Sequence, residues 1–304
     1  MTGGGRPLLE TSFNARSTAE DVLQGVDLSG VTVLLTGCNS GLGFETLRVL
    51  AGHGAHVLAA ARNLEKAEAA CARVSGRTTP LACDLGDQDS IRRAIAELRA
   101  GGFRLDRVIA NAGIMMPPRL ERIDGLEQQF VINYLGHFRL ITGVLDLIPT
   151  EAGARVVIVA SAAHRRAPRA GVELDNLSSA RGYNAMAAYG QSNVARILFA
   201  RALARRLAPS GIAVNSLHPG VIAGTRLMRH LPPLLGSAIG LFSKTIPQGA
   251  ATQVYLAAHP EVAGVTGQYF ADCRPQTPSR AAQDDALGER LWTASERLVT
   301  LAAG

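Results

Sequence analysis

A chain of 304 residues with 47% apolar and 18% charged residues can bury one large core and is neither disordered nor a coiled coil. Its formal charge of +6 is scattered, densest at His164-Arg165-Arg166 and Arg169, so no basic stripe of the kind that binds nucleic acid stands out. The four cysteines, Cys38, Cys71, Cys83 and Cys273, have neither zinc-ligand spacing nor disulfide density, which reads as reduced thiols in a cytoplasmic protein. Residues 1–27 are polar and lack the apolar run of a signal peptide. The apolar stretch 221–242 is interrupted by Arg226, Arg229, His230 and Pro232-Pro233, so stable membrane insertion is not expected.

Residues 1–29 read as an N-terminal extension in which Ser17 caps a short helix ending at Leu23. Asp27-Leu28-Ser29-Gly30 then turns the chain into a strand over 31–36. A helix over 41–53, a strand over 56–61, a helix over 65–74 and a strand over 79–83 follow. The alternation continues with a helix over 90–99, a strand over 107–110, a long helix over 126–147 and a strand over 155–160. A helix over 189–207, a strand over 213–217 and a late strand over 268–270 complete it. Short apolar strands alternating with longer helices predict an α/β fold over 30–304, a single-domain, Rossmann-type doubly wound parallel sheet with its ligand at the carboxyl ends of the strands. Segment 221–248 is expected to cover the substrate site, although an amphipathic packing helix explains the apolar residues of 227–242 equally well.

The sharpest motif is Thr36-Gly37-Cys38-Asn39-Ser40-Gly41-Leu42-Gly43, placed where the first strand enters a helix. Glycines there allow a tight turn and a close approach of backbone to a pyrophosphate, and the helix N-terminus offers free N–H groups. At the end of the second strand Ala61-Arg62-Asn63 carries a guanidinium where an NAD-binding site usually carries a carboxylate. Arg62 suits a 2′-phosphate, so NADP(H) is the expected cofactor.

Further along, the sequence resembles the short-chain dehydrogenase/reductase family in motifs that fall in the family's order. Asp84, followed by Leu85, resembles the carboxylate that meets the adenine ring, and Asn111-Ala112-Gly113 resembles the end of the family's Asn-Asn-Ala-Gly motif, with Ala110 in place of its first Asn. Asn133 resembles the catalytic Asn, Ser161 the catalytic Ser and Tyr189 the catalytic Tyr, here opening a helix. Pro219-Gly220-Val221 with Thr225 resembles the loop that contacts the nicotinamide amide and the cofactor phosphates. The Gly-Gln-Ser after Tyr189, Ala163-His164-Arg165-Arg166 and Gln268-Tyr269-Phe270 are most similar to the retinol-dehydrogenase and WW-domain-oxidoreductase branch.

The resemblance implies hydride transfer between nicotinamide and a carbonyl carbon. Tyr handles the proton, Ser holds the oxygen, Asn orders a relay water, and a Lys four residues after Tyr bonds the ribose and lowers the Tyr pKa. Here the chain reads Tyr189-Gly190-Gln191-Ser192-Asn193, so a neutral Asn193 stands where that lysine is expected. With only two lysines in the chain, Lys66 and Lys244, a coding bias toward arginine would have kept the charge. Asn193 can bond a ribose hydroxyl but supplies no cation. Arg196, three residues on, is the nearby candidate for a substitute, against the plain expectation of an exposed helix arginine. His137, His164 and His218 read as structural.

Two functions remain open at this point. One is an NADP(H)-dependent reductase of a ketone or aldehyde on a largely apolar small molecule, with Tyr189 as acid and Ser161 orienting the oxygen. The other is a redox-silent protein that binds NADP(H) structurally or uses Ser161 and Tyr189 for cyclisation, dehydration or isomerisation. The sequence leaves a homo-oligomer open and has no metal-ligand pattern.

Overall fold

The structure is a computed structural model, described here for residues 11–150, 153–222 and 243–301. Its strands are β1 (Thr32–Thr36), β2 (His56–Ala61), β3 (Thr78–Ala82), β4 (Arg107–Ala110), β5 (Arg122–Ile123), β6 (Leu126–Glu127), β7 (Arg155–Val159), β8 (Ala213–His218), β9 (Tyr269–Ala271) and β10 (Arg274–Gln276). Its helices are α1 (Ala19–Leu23), α2 (Gly41–Gly52), α3 (Leu64–Cys71), α4 (Gln88–Ala100), α5 (Gly136–Gly143), α6 (Ala185–Arg206), α7 (Ile246–Ala258) and α8 (Asp285–Leu301).

Eight strands form one sheet in the order β10-β9-β8-β7-β4-β1-β2-β3, parallel except for the β9–β10 pair. From β1 the chain moves outward through β2 and β3, then returns to lay β4 on the other side of β1. The strand order therefore reverses between β1 and β4, where the carboxyl ends leave a crevice. Strand side chains alternate between the two faces as a period of two requires. Leu34, Leu58, Val156 and Ile158 join the cluster under α4, α5, α6 and α8, whereas Val33, Leu35, Val57 and Val157 join the one under α1, α2 and α7. Burial on both faces explains the nearly continuous apolar runs of the central strands.

Helix starts follow local capping. Asn63 accepts from Lys66 N at 3.1 Å to start α3, and Asp87 accepts from Asp89 N at 2.8 Å to start α4. Thr18, not Ser17, caps α1, because Asp21 returns a bond to the Thr18 N–H and completes a capping box. The short helix packs through Ala19, Val22 and Leu23 into the core beside α7.

Two expected helices differ. The helix expected over 126–147 runs from 128 to 143, with a π-helical turn Phe130–Leu135 leading into α5, the small β5–β6 hairpin ahead of it and a 3-10 turn Leu145–Leu147 after it. The Glu127 carboxylate accepts from Phe130 N at 2.9 Å in the manner of an N-cap, and the helical run begins directly after it. Helix α6 starts at Ala185, one turn before Tyr189, because Asn184 accepts from Ala187 N at 2.9 Å and caps it there. Tyr189 thus lies inside the helix and is 6% exposed, not at its opening. Helices α7 and α8 and strand β10 were not anticipated.

Helix α8 lies along α6 and seats Trp292 against Phe138 and Phe199, with ring centroids 5.0 and 5.7 Å away and the Arg206 guanidinium 3.9 Å from the ring centre. Trp292→Ala is expected to destabilise the protein by about 3–5 kcal/mol. Denaturant unfolding measures this, and a loss under about 1 kcal/mol would mean that α8 is only loosely attached.

Candidate active site

The strand ends at the reversal are tied together by one hydroxyl. Thr36 Oγ1 accepts from Asn111 N at 3.0 Å and from Ala112 N at 3.1 Å, and contacts His137 Nε2 at 2.9 Å. Asn111 Nδ2 in turn donates to Thr36 O at 2.9 Å. The glycine turn is packed directly on this knot. A Cβ on Gly37, whose φ is +72°, would lie 2.9 Å from Ala112 Cα, and a Cβ on Gly43 would fall on the Gly37 carbonyl oxygen and 2.5 Å from Asn111 Nδ2. Ser40 leaves the first turn of α2 without a side-chain cap, so its N–H groups are open to an anion. Asn39, Ser40 and Gly41 line a cleft with Phe44 and Arg73, the latter 4.1 Å over the Phe44 ring. A backbone cradle with no room for side chains and uncapped N–H groups fits the phosphates of a dinucleotide. Leu42 turns its side chain toward Gly249, and Leu85 is 5% exposed with its carbonyl against Gly136, so these two frame the site from the core side.

Arg62 and Asp84 stand at the ends of β2 and β3, with Arg62 Nε 4.0 Å from Asp84 Oδ2 and the Arg62 side chain 64% exposed. Asp84 Oδ1 accepts from Gly86 N at 2.9 Å, which fixes the carboxylate at the rim of the crevice. The guanidinium is therefore held only loosely and is open to solvent.

Ser161 follows β7 and caps the 3-10 turn Ala162–Arg166, accepting from Ala163 N at 3.2 Å. Gly190, the residue after Tyr189, is where α6 meets this turn. A Cβ there would lie 2.5 Å from Ala167 N and 2.7 Å from Ala163 O, so the bare glycine lets the helix that carries Tyr189 settle against the segment that carries Ser161. Sequence reasoning passed over Gly190, although a glycine inside a helix beside a functional residue signals close approach.

Asn133 is fully buried. Its Oδ1 accepts from Ile114 N at 2.8 Å, and its Nδ2 donates to Ile114 O and to Ser192 Oγ, both at 3.0 Å. The side chain thus braces the loop after β4 against α6, just beyond Gly113, whose absent Cβ would lie 3.1 Å from Asn133 Oδ1. Asn193 is also fully buried, with Nδ2 donating to Tyr189 O at 2.8 Å and Oδ1 without a partner among the described residues. Arg196 is not the exposed helix residue expected of it, being only 4% exposed. The reason is tertiary, since the sheet and the π-helical turn pack over the face of α6 that carries it.

On the opposite rim, Gly220 has φ +96°, and Gly220 N donates to His218 Nδ1 at 3.2 Å. The Lys244 stem lies against Gly220, where a Cβ would approach Lys244 Cδ to 2.8 Å, and Lys244 Nζ pairs with Asp272. Lys244 is a site-proximal residue that no motif had flagged. Pro219 is partly buried and Val221 is 50% exposed. Thr225 and the apolar segment 227–242 lie outside the described residues. Burial drives the imidazoles His137, His164 and His218 to about 3, 4 and 4, so all three are neutral at physiological pH.

The short chain dehydrogenase family matches residues 31–233. The chain belongs to the short-chain dehydrogenase/reductase family. It is 39% identical over 305 residues to short-chain dehydrogenase TIC 32 B, chloroplastic, of Brassica napus, covering 95% of each chain. It is 36% identical to human WW domain-containing oxidoreductase, over 97% of this chain and 74% of that one. It is 37% identical to human retinol dehydrogenase 14, over 90% and 88%. A crystal structure of an uncharacterized protein from Mycobacterium paratuberculosis superposes with a TM-score of 0.73 at 31% identity, over 93% of this chain and 97% of that one. Membership in the short-chain dehydrogenase/reductase family makes the chain an oxidoreductase-family protein with a nicotinamide-binding Rossmann-type sheet. The similarity to the retinol-dehydrogenase and WW-domain-oxidoreductase branch also holds. Among the described residues no helix is long and apolar enough to cross a membrane.

Proposed function

We propose that the protein is an NADP(H)-dependent reductase of a ketone or aldehyde on a largely apolar small molecule. The observation that supports this reading is the seating of α6, the helix that carries Tyr189, on the turn that Ser161 caps, through the bare Gly190. Bound NADPH would supply the hydride. Ser161 would donate a hydrogen bond to the carbonyl oxygen, and Tyr189 would deliver the proton to it. Thr36, Gly37, Asn39, Ser40, Gly41, Gly43, Asp84, Asn111, Ala112 and Gly113 would hold the dinucleotide, with Asn133 bracing the loop above it. An apolar substrate is read from the apolar composition of segment 221–248, and the cytoplasmic setting from cysteines that carry no disulfide among the described residues. A panel of apolar ketones and aldehydes, followed by NADPH consumption, tests the reading. Tight NADPH binding with no turnover across the panel would overturn it.

That negative outcome is the mark of the second reading. Asn193 turned onto Tyr189 O, in place of the family's lysine, favours a site that binds NADP(H) without redox turnover, or one that uses Ser161 and Tyr189 in cyclisation, dehydration or isomerisation.

NADP(H) over NAD(H) is read from Arg62, whose exposed guanidinium stands at the end of β2. Arg62→Asp is expected to invert the preference. It removes a bidentate phosphate partner and sets a carboxylate against the 2′-phosphate, a change of about 3 kcal/mol or roughly 100-fold in relative affinity. Titration of both cofactors checks it, and equal affinities in the unmodified protein would end the assignment.

A further inference from the structure

Arg196 lies seven residues after Tyr189 on α6, a spacing that brings it back to the same helix face two turns on. Its guanidinium is bonded to main-chain carbonyls. Nε donates to Asn133 O at 2.6 Å, Nη1 to Val159 O at 2.8 Å, and Nη2 to Ala112 O. Those oxygens belong to the π-helical turn, the last residue of β7 and the segment after β4, so one side chain joins the three pieces of chain that converge on the site. Among the described residues no carboxylate forms an ion pair with it. Burying a cation that way is costly, and such groups concentrate where their field is used.

The charge survives burial. Desolvation pulls Arg196 down to about 10, which leaves it protonated at neutral pH, and a negative charge on Tyr189 acts on it in the opposite sense. A cation held inside the fold on the same helix face, two turns from residue 189, is little screened by water. Other titratable groups on the elements packed against α6 do not replace it. His137 beside the π-helical turn, His164 on the turn after Ser161 and His218 on β8 are neutral for want of solvation. Arg165 and Arg166 on the turn after Ser161 face solvent, as does Arg280 on the turn before α8. Glu127, ahead of the π-helical turn, is pushed up by burial, and Arg155 at the start of β7 donates to Leu256 O and His259 O. Asp285 and Glu289 of α8 pair with Arg201, Arg205 and Arg206 at the far end of α6, and Asp272 pairs with Lys244.

We propose that Arg196 is the positioning residue that supplies Tyr189, from inside the fold, with the fixed positive charge that the neutral Asn193 does not. The inference rests on the reading of Tyr189 as the proton-transfer group. Asn193 keeps a different task, holding the Tyr189 main chain through Nδ2.

Ring-labelled tyrosine in the full chain with NADP bound reports the ionisation of Tyr189 by NMR, its signal assigned through Tyr189→Phe. Arg196→Gln is expected to raise the ionisation midpoint by about one pH unit, a tenfold loss of tyrosinate at a given pH. Arg196→Lys should retain most of the original midpoint, which a purely structural clamp would not require. An unmoved midpoint in Arg196→Gln overturns the proposal. If that variant does not fold, Arg196→Met, which keeps the buried stem and removes the charge, is measured in its place, with the same rise of about one unit expected and an unmoved midpoint overturning the proposal. Lack of NADPH turnover in the unmodified protein, together with a midpoint that responds to Arg196, would remove the reductase reading and leave the role of Arg196 standing.

Discussion

Tyr189→Phe is expected to lower kcat for carbonyl reduction by about 100- to 10,000-fold while leaving NADPH affinity within about threefold. The phenol is the group on α6 that can pass a proton to a carbonyl oxygen in this reading. The three neighbouring imidazoles are poor substitutes, since burial holds them at about 3 to 4 and leaves them without a proton to give at neutral pH. Phenylalanine keeps the ring's packing in the helix interior, so the fold and the cofactor cradle at the far end of the crevice should persist. Stopped-flow reduction of the best ketone in the panel, with NADPH fluorescence as the binding control, measures both quantities. Activity within a factor of ten of the unmodified protein would remove Tyr189 from proton transfer.

The second large effect is expected from the glycine turn. Gly43→Ala places a methyl group on the Gly37 carbonyl oxygen and 2.5 Å from Asn111 Nδ2, both parts of the knot that joins β1 to β4. The first neighbour is backbone and the second, the Asn111 amide, is held by its bond to Thr36 O, so the turn has to move as a unit. Overpacking of this kind costs about 1–3 kcal/mol in stability. Displacing the N–H groups of the α2 start from the pyrophosphate removes charge-assisted bonds worth about 1.5–3 kcal/mol each, so NADPH affinity should fall by roughly 100-fold or more. Calorimetric titration beside thermal unfolding separates the two effects. Undiminished NADPH binding would mean that the phosphates lie elsewhere.

Much of this molecule is legible from residue order. Strands such as His56–Ala61 and Arg107–Ala110 stand out because burial on both faces demands runs of apolar residues, and the turn at 36–43 stands out because only glycine can satisfy its contacts. That position 193 is neutral is likewise a plain fact of sequence. Element ends were read less well where a side chain distant from the apolar pattern decided them, as Asn184 does for α6 and Glu127 for the segment before α5.

What tertiary structure alone decided is the direction in which Arg196 points and the reason Gly190 is glycine. A helical period shows which residues share a face, but it does not show that the sheet and the π-helical turn close over the face that carries Arg196. With that face turned to the strand ends, the donors of Arg196 find carbonyls inside the fold. The partners it finds, Ala112, Asn133 and Val159, are distant in sequence from it and from one another, so their convergence exists only when the sheet is assembled. The sequence by itself therefore determined the fold class and the glycine turn at the strand reversal, through local patterns of burial and backbone freedom. That Arg196 is buried was settled by packing, because the fate of a charge depends on which surfaces the rest of the chain closes over it.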